Sequence, residues 1–393
     1  MARKLPPAGS WFRILTELAL YLSDVPVRND KYSLDGEGAR NLLTLFYNSF
    51  DVGEDLGASE EAVEEKFVRK KNIFRFILGG RNSNFLKAIA DFLIAREALP
   101  AQISIVEDYH RIIIALLREL EKDPDFLADV KASVPAFLKL GYLEFISEFG
   151  AGSRKYSRQY LGSDVVTITV ATIGFIFTFV GGLYQNIIVD PRDVYQYIVP
   201  SQAKDWLNTV KKSVAPLFRS RELQPTESLI SLMITMASFE SHTRVSNLIR
   251  SMGIPVYHVS IACTKNRCNM VNMQNLALRE PLDIMFSRRI DSSVVKEARI
   301  SMQKLYSAAT LGEGLSVRPD KRQQMKQYIY DSLIEYSQRF ILYSMTGNRQ
   351  IAYLAMRRLS EMGAVLRDAN VKISDIPAED LVKDVLNFMV EVL

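Results

Sequence analysis

Three histidines and two cysteines are all that 393 residues offer to acid–base, nucleophilic or thiolate chemistry. His110, His242 and His258 lie far apart in sequence. Cys263 and Cys268 stand five residues apart with one histidine nearby, short of the four ligands of a structural zinc site. The spacing permits one loop disulfide and excludes a scaffold built on disulfides. Also missing are G-x-x-x-x-G-K-[S/T], a G-x-G-x-x-G between strand and helix, G-x-S-x-G, H-E-x-x-H and the kinase signatures. Carboxylates are plentiful, but no pair stands out in an apolar run. The expectation is a protein that is not an enzyme and holds neither metal nor cofactor.

A strong charge of either sign is lacking as well. Lys and Arg total 49 against 45 Asp and Glu, a net charge of +4. That does not demand nucleic acid, but it leaves room for a local basic groove balanced by acidic faces elsewhere. The longest stretch without charge runs from Val165 to Val189. It exceeds the roughly 20 apolar residues needed to cross a bilayer. Thr167, Thr169, Thr172, Thr178, Gln185, Asn186 and several glycines interrupt it, and the cationic flanks are weakly asymmetric. VVTITVAT alternates, which signals a strand as much as a helix. We read the run as a buried element of the N-terminal lobe. The N-terminal apolar stretch contains Arg13 and Glu17, so it is no signal-peptide core, and the expected location is intracellular.

Most of the remaining chain has helical periodicity. ARNLLTLFYNSF, AVEEKFVRKKNIFRFIL, NFLKAIADFLIAREA and IVEDYHRIIIALLRELEKD show apolar residues at 3.6-type spacing, with stops at Gly79-Gly80 and Pro124. Further helices follow Pro191, and TES at 226–228 can start another. Residues 253–273 are the best remaining strand or loop candidate. Each end carries a short apolar helical face behind a polar, turn-rich stretch, 25–38 and 368–377. Pro377 at the first helical position with Glu379 and Asp380 in the first turn marks the last helix. The expected organisation is an N-terminal arm over 1–35, a helical lobe over 36–252, a second over 253–367 and a C-terminal arm over 368–393.

Against this background, basic residues alternate with aromatics. Arg154, Lys155 and Arg158 surround Tyr156 and Tyr160. Lys211 and Lys212 precede Arg219 and Arg221 around Phe218. Arg288 and Arg289 follow Phe286, Arg318, Lys321 and Arg322 cluster in one loop, and Tyr343 precedes Arg349. Cations neutralise phosphates and aromatic faces stack on unpaired bases. For each cluster the alternative is a solvated face or a core tyrosine. The same holds for Lys66, Arg69, Lys70, Lys71 and Arg75 among Phe67, Phe74 and Phe76.

Four features resemble the nucleoproteins of non-segmented negative-strand RNA viruses, most visibly the pneumovirus type. The apolar element VVTITVATIGFIFTFVGG lies at mid-chain ahead of the basic AKDWLNTVKKSVAPLFRSR. FILYSMTGNRQIAYLAMRRL carries Tyr343 and Arg349 in a helix–turn–helix. VKISDIPAEDLVKDVL is similar to the family's exchange arm, and the length fits. The resemblance implies a mainly α protein of two helical lobes, RNA in the cleft between them, and terminal arms exchanged between copies. It implies polymerisation along single-stranded genomic RNA without sequence specificity, in the virion and the host-cell cytoplasm. The viral polymerase and phosphoprotein would be further partners, and no membrane would be engaged. Carried over residue by residue are Lys211, Lys212, Tyr343 and Arg349; the other clusters are candidates on composition alone. Two other classes stay open: a helical pore-forming protein inserting through Val165–Val189, and a basic helical subunit of an RNA-guided complex.

Overall fold

The structure, a computed structural model, describes residues 2–7, 10–50, 83–128, 130–138, 163–181, 185–189, 197–220, 222–241, 243–264 and 267–393. It is mainly helical, with thirteen α-helices among the described residues. The chain divides into two compact units. Unit 1 comprises Met1–Phe179, Asp190–Tyr195 and Val259–Asn272; unit 2 comprises Val180–Val189, Gln196–His258 and Met273–Leu393.

Unit 1 opens with β1 (Ala2–Lys4), α1 (Trp11–Leu22) and the hairpin β2 (Val27–Arg28) and β3 (Lys31–Ser33). Then follow α2 (Gly36–Asn48), α3 (Asn84–Ala95), α4 (Tyr109–Lys122), β4 (Lys131–Ala132), β5 (Ser163–Asp164) and α5 (Val165–Thr178). All fourteen residues of α5 are buried, with α1, α2 and α3 packed against it. A helix apolar on every side is one that a core surrounds. Its threonines remain tolerable because their hydroxyls bond back along the helix: Thr169 to the Val165 carbonyl at 2.9 Å and Thr172 to that of Ile168 at 2.8 Å. Gly174 is the crossing point with α1. A Cβ there would lie 2.3 Å from the Leu15 carbonyl oxygen.

The start of α5 is tied to the N-terminus. Arg3 Nη1 lies 3.0 Å from each Asp164 carboxylate oxygen, and its Nη2 donates to the carbonyls of Pro124 and Phe126. Asp164 also caps α5, accepting from the Val166 and Thr167 amides and from the Thr167 hydroxyl. The Tyr32 hydroxyl is 2.9 Å from that same Thr167 oxygen. β1, paired antiparallel with β3, is thus joined to α5 by a buried polar network.

Unit 2 contains β6 (Phe179–Gly181, from Val180 on), β7 (Gln185–Val189), α6 (Pro200–Val214), α7 (Glu227–Ser241), α8 (Arg244–Met252) and the ends of β8 (Val256–Thr264) and β9 (Arg267–Asn275). It continues with α9 (Arg279–Ser287), α10 (Ser292–Leu311), β10 (Leu315–Ser316), α11 (Arg322–Thr346), α12 (Arg349–Asp368), β11 (Lys372–Ile373), β12 (Ile376–Pro377) and α13 (Ala378–Val392). The core helix is α7, buried from Leu229 to Phe239 and packed on α6, α9, α10 and α11. Trp206 Nε1 donates to Ser238 at 2.9 Å, and Arg299 reaches Glu240 with both ends of its guanidinium. β10, β11 and β12 form a small antiparallel sheet. Its tight turn places Ser374 and Asp375 at φ of 51° and 67°.

The division differs from the expected lobes over 36–252 and 253–367. The first break follows the buried α5, and Val259–Asn272 returns to unit 1. The terminal segments assigned to arms pack within this chain. All of α1 except Arg13 is buried in unit 1. α13 buries Leu381, Val382, Val385, Phe388 and Met389 against α10 and α12 in unit 2. Phe388 meets Phe340 at 5.6 Å between ring centres. The polar, turn-rich stretches 25–38 and 368–377 contain short hairpins, β2–β3 and β11–β12. The apolar run is a helix from Val165 through Thr178, including the alternating VVTITVAT, and β6 and β7 follow it. Over about 21 Å the helix falls short of the roughly 30 Å of a hydrocarbon core. No helix among the described residues is long and apolar enough to cross a membrane.

Candidate nucleic-acid interface

The excess positive charge belongs to unit 2, which carries 24 Lys and Arg against 19 Asp and Glu; unit 1 carries 25 against 26. Among the described residues of unit 2, cations and apolar side chains are exposed together at the tip of the α11–α12 hairpin. α11 stops at Gly347, whose φ is 66° and whose amide donates to the Tyr343 carbonyl at 2.8 Å. Asn348 then caps α12, its Oδ1 accepting from the Gln350 amide at 3.0 Å. The four-residue spacing of Arg349, Tyr353 and Arg357 puts them on one stripe of α12. All three are exposed, with Tyr353 61% accessible. Leu342, Met345 and Leu354 are exposed beside the turn. Arg349 has no ion-pair partner among the described residues, whereas Arg357 bonds Glu361 at 2.9 Å. Arg339 donates across the hairpin to the Leu354 carbonyl at 2.7 Å and, like Arg358, pairs with Glu335. These two arginines hold the hairpin together.

α8 and α9 add a second part. The Arg250 guanidinium sits 4.9 Å over the Phe286 ring, which in turn meets Phe239 at 4.9 Å. Arg250 and Arg279 share a pocket of about 370 Å³ with Ser251, Glu280, Asp283 and Ile284, and Ser344 of α11 completes its wall. Ser344 lies next to the exposed Met345, so the pocket borders the hairpin tip. A second pocket, of about 380 Å³, is lined by Ser316, Arg318, Lys321, Asp368 and Asn370 among others.

The sequence candidates are placed unevenly. Arg349 is on the exposed tip. Tyr343 is 4% accessible and points into the core, so its ring offers no stacking face. The reason is helical phase: Tyr336, Phe340 and Tyr343 share the buried side of α11. Arg288 and Arg289 are exposed just past α9 without ion pairs among the described residues, but they do not line its pocket. Lys211 and Lys212 occupy the last turn of α6, where cations suit the negative end of the helix dipole. Lys212 is exposed and Lys211 half-buried. Arg219, also exposed, lies 3.6 Å from Glu313. Arg154, Lys155, Arg158 and Arg221 lie outside the described residues, as does the cluster from Lys66 to Arg75. Tyr353, Arg250 and Arg279 were missed. The Arg349–Tyr353–Arg357 spacing was a legible signal; the packing of Arg250 on Phe286 was not.

His258 serves unit 2 as a core residue. Its Nε2 is 2.7 Å from Gln185 Oε1, its ring stacks on Phe218 with centres 5.6 Å apart, and burial pushes its pKa down to about 4. Cys268 is disulfide-bonded. Among the described residues no three His, Cys, Asp or Glu are grouped to hold a metal.

Comparison with known proteins gives little to build on. No protein family matches the chain, and no solved structure does. A probable glutamine-hydrolysing asparagine synthetase of Acanthamoeba polyphaga mimivirus is 21% identical over 201 residues, covering 49% of this chain and 34% of the synthetase. The chain thus matches about a third of that relative's length, and the likeness transfers neither fold nor activity.

Proposed function

We propose that the protein is a single-strand RNA-binding nucleoprotein whose unit 2 engages the strand in a sequence-tolerant way. The supporting observation is the stripe of Arg349, exposed Tyr353 and Arg357 on α12, on a helix fixed at its start by a cap and along its length by packing. A guanidinium beside an accessible aromatic face combines phosphate neutralisation with base stacking, which every nucleotide can satisfy. Arg250, Arg279, Arg288 and Arg289 extend the cationic character over α8 and α9, with Lys212 at the end of α6 a further candidate contact. Continuity along RNA would come from contacts between successive copies, which generate rings or helices when they are head-to-tail. With α1 and α13 both inside their own units, copies in this reading meet through surfaces, not through exchanged arms.

The experiment is fluorescence anisotropy with a labelled single-stranded RNA across a salt series. Changing Arg349 and Tyr353 together to Ala should weaken binding by about 2–4 kcal/mol, a stacking contribution of roughly 1–3 kcal/mol plus one phosphate contact. The log-affinity against log-salt slope should flatten by about 0.7. Unchanged affinity and slope would place the RNA elsewhere or nowhere on this protein.

A further inference from the structure

The pocket between α8, α9 and α11 contains charges of both signs that do not neutralise one another. Arg279, Glu280 and Asp283 each lack an ion-pair partner among the described residues, although Arg279 and Asp283 are four apart on α9. Four residues is the spacing that brings opposite charges together on a helix, and Arg ahead of Asp is the weaker orientation. Both groups are therefore available to a ligand. Arg250 is oriented by its seat over Phe286. Arg279 passes Gly253, where a Cβ would lie 3.5 Å from its Nη1; the φ of 67° there favours glycine. At about 370 Å³ the pocket lies within the size range of small-molecule sites.

The charge pattern selects among ligands. An anion alone would face two carboxylates, a cation alone would face two guanidiniums, and an apolar group would gain nothing from either pair. A ligand with phosphate acceptors at one end and paired N–H donors at the other satisfies all of them.

We propose that this pocket holds one nucleotide of the bound strand, its phosphate on Arg250 and Arg279 and the Watson–Crick edge of a guanine on Asp283 or Glu280. Arginine forks match phosphate oxygens. The N1–H and N2–H of guanine lie side by side and can donate together to the two oxygens of one carboxylate. Uracil presents a single imino N–H, and adenine and cytosine a single amino group. The inference rests on the RNA reading above and adds one base-selective position to an otherwise tolerant path.

The test compares the affinity of a labelled uridine dodecamer with that of the same strand carrying one central guanosine, and a third carrying inosine, which lacks the N2 amine. The guanosine strand should bind about tenfold tighter than the uridine strand, as one good bidentate base contact provides. Inosine should fall between them. Asp283→Asn with Glu280→Gln, both at exposed positions, should bring the guanosine-to-uridine ratio to one. Equal affinities in the unaltered protein, or a preference that survives the double change, would overturn the pocket assignment and leave the RNA reading standing. Failure of all three strands to bind would overturn both.

Discussion

Replacing Asp164 with Asn should destabilise unit 1 far more than a change of one atom suggests. Asn is as good an N-cap as Asp: the amides of Val166 and Thr167 donate to different carboxylate oxygens, and the one carbonyl oxygen of Asn can keep one of these bonds. What disappears is the negative charge facing Arg3. The Arg3 side chain is 3% accessible and that of Asp164 19%, with the guanidinium 3.0 Å from both carboxylate oxygens. Removing one partner of a buried pair leaves the other charge desolvated and unpaired, at a cost of about 3–5 kcal/mol. For a unit of this size that corresponds to a fall in Tm of roughly 6–20 °C, at about 2–4 °C per kcal/mol. The assay follows from the tryptophans, one in each unit: Trp11, buried in unit 1, and Trp206 in unit 2. In a Trp206→Phe background the fluorescence of Trp11 reports unit 1 alone. Arg3→Met combined with Asp164→Asn should recover part of the loss, because neither charge then remains buried without its partner. A loss below about 1 kcal/mol for Asp164→Asn would refute the argument, since it would put the pair in the range of exposed surface bridges.

Two further perturbations probe the cores. Gly174→Ala forces a methyl to within 2.3 Å of the Leu15 carbonyl oxygen, so α1 and α5 must separate. Thermal unfolding should show a loss at or above the top of the roughly 1–3 kcal/mol range for overpacking; a silent substitution would mean the two helices do not cross there. Deleting residues 378–393 removes α13, whose buried Leu381, Val382, Val385, Phe388, Met389 and Val392 are worth on the order of 10 kcal/mol in burial. Circular dichroism and Trp206 fluorescence should therefore show unit 2 unfolded; a well-folded truncated monomer would instead identify α13 as a detachable arm.

The helices were legible where one face repeats. Ile112, Ile113, Leu116, Leu117 and Leu120 predict α4, and the structure buries those side chains. The Val165–Val189 run was legible as core from its threonines and glycines. The helix-or-strand choice was not, because a fully buried element loses the one-sided pattern that tells period 3.6 from period 2. The covering of an apolar face cannot be read from that face. α1 and α13 each show the stripe of a docking helix; α1 is covered by α5, and α13 by α10 as well as by the neighbouring α12, so each stripe has a partner far from it in sequence. The same limit applies to the candidate interface. Helical phase separates inward Tyr343 from outward Tyr353, but the contact of Arg250 with Phe286, 36 positions apart, exists only once α8 and α9 have packed.

The central claim is that this protein binds single-stranded RNA through phosphate contacts and stacking with little regard for sequence. Equilibrium binding of two unrelated single-stranded 20-mers, measured by anisotropy between 50 and 300 mM salt, tests it most directly. The account predicts affinities within about tenfold of each other, allowing for one base-selective pocket, and a log–log salt slope of about −2 to −4 for three to six phosphate contacts at roughly 0.7 each. Absence of binding at 50 mM salt, or binding with a flat slope, would contradict it.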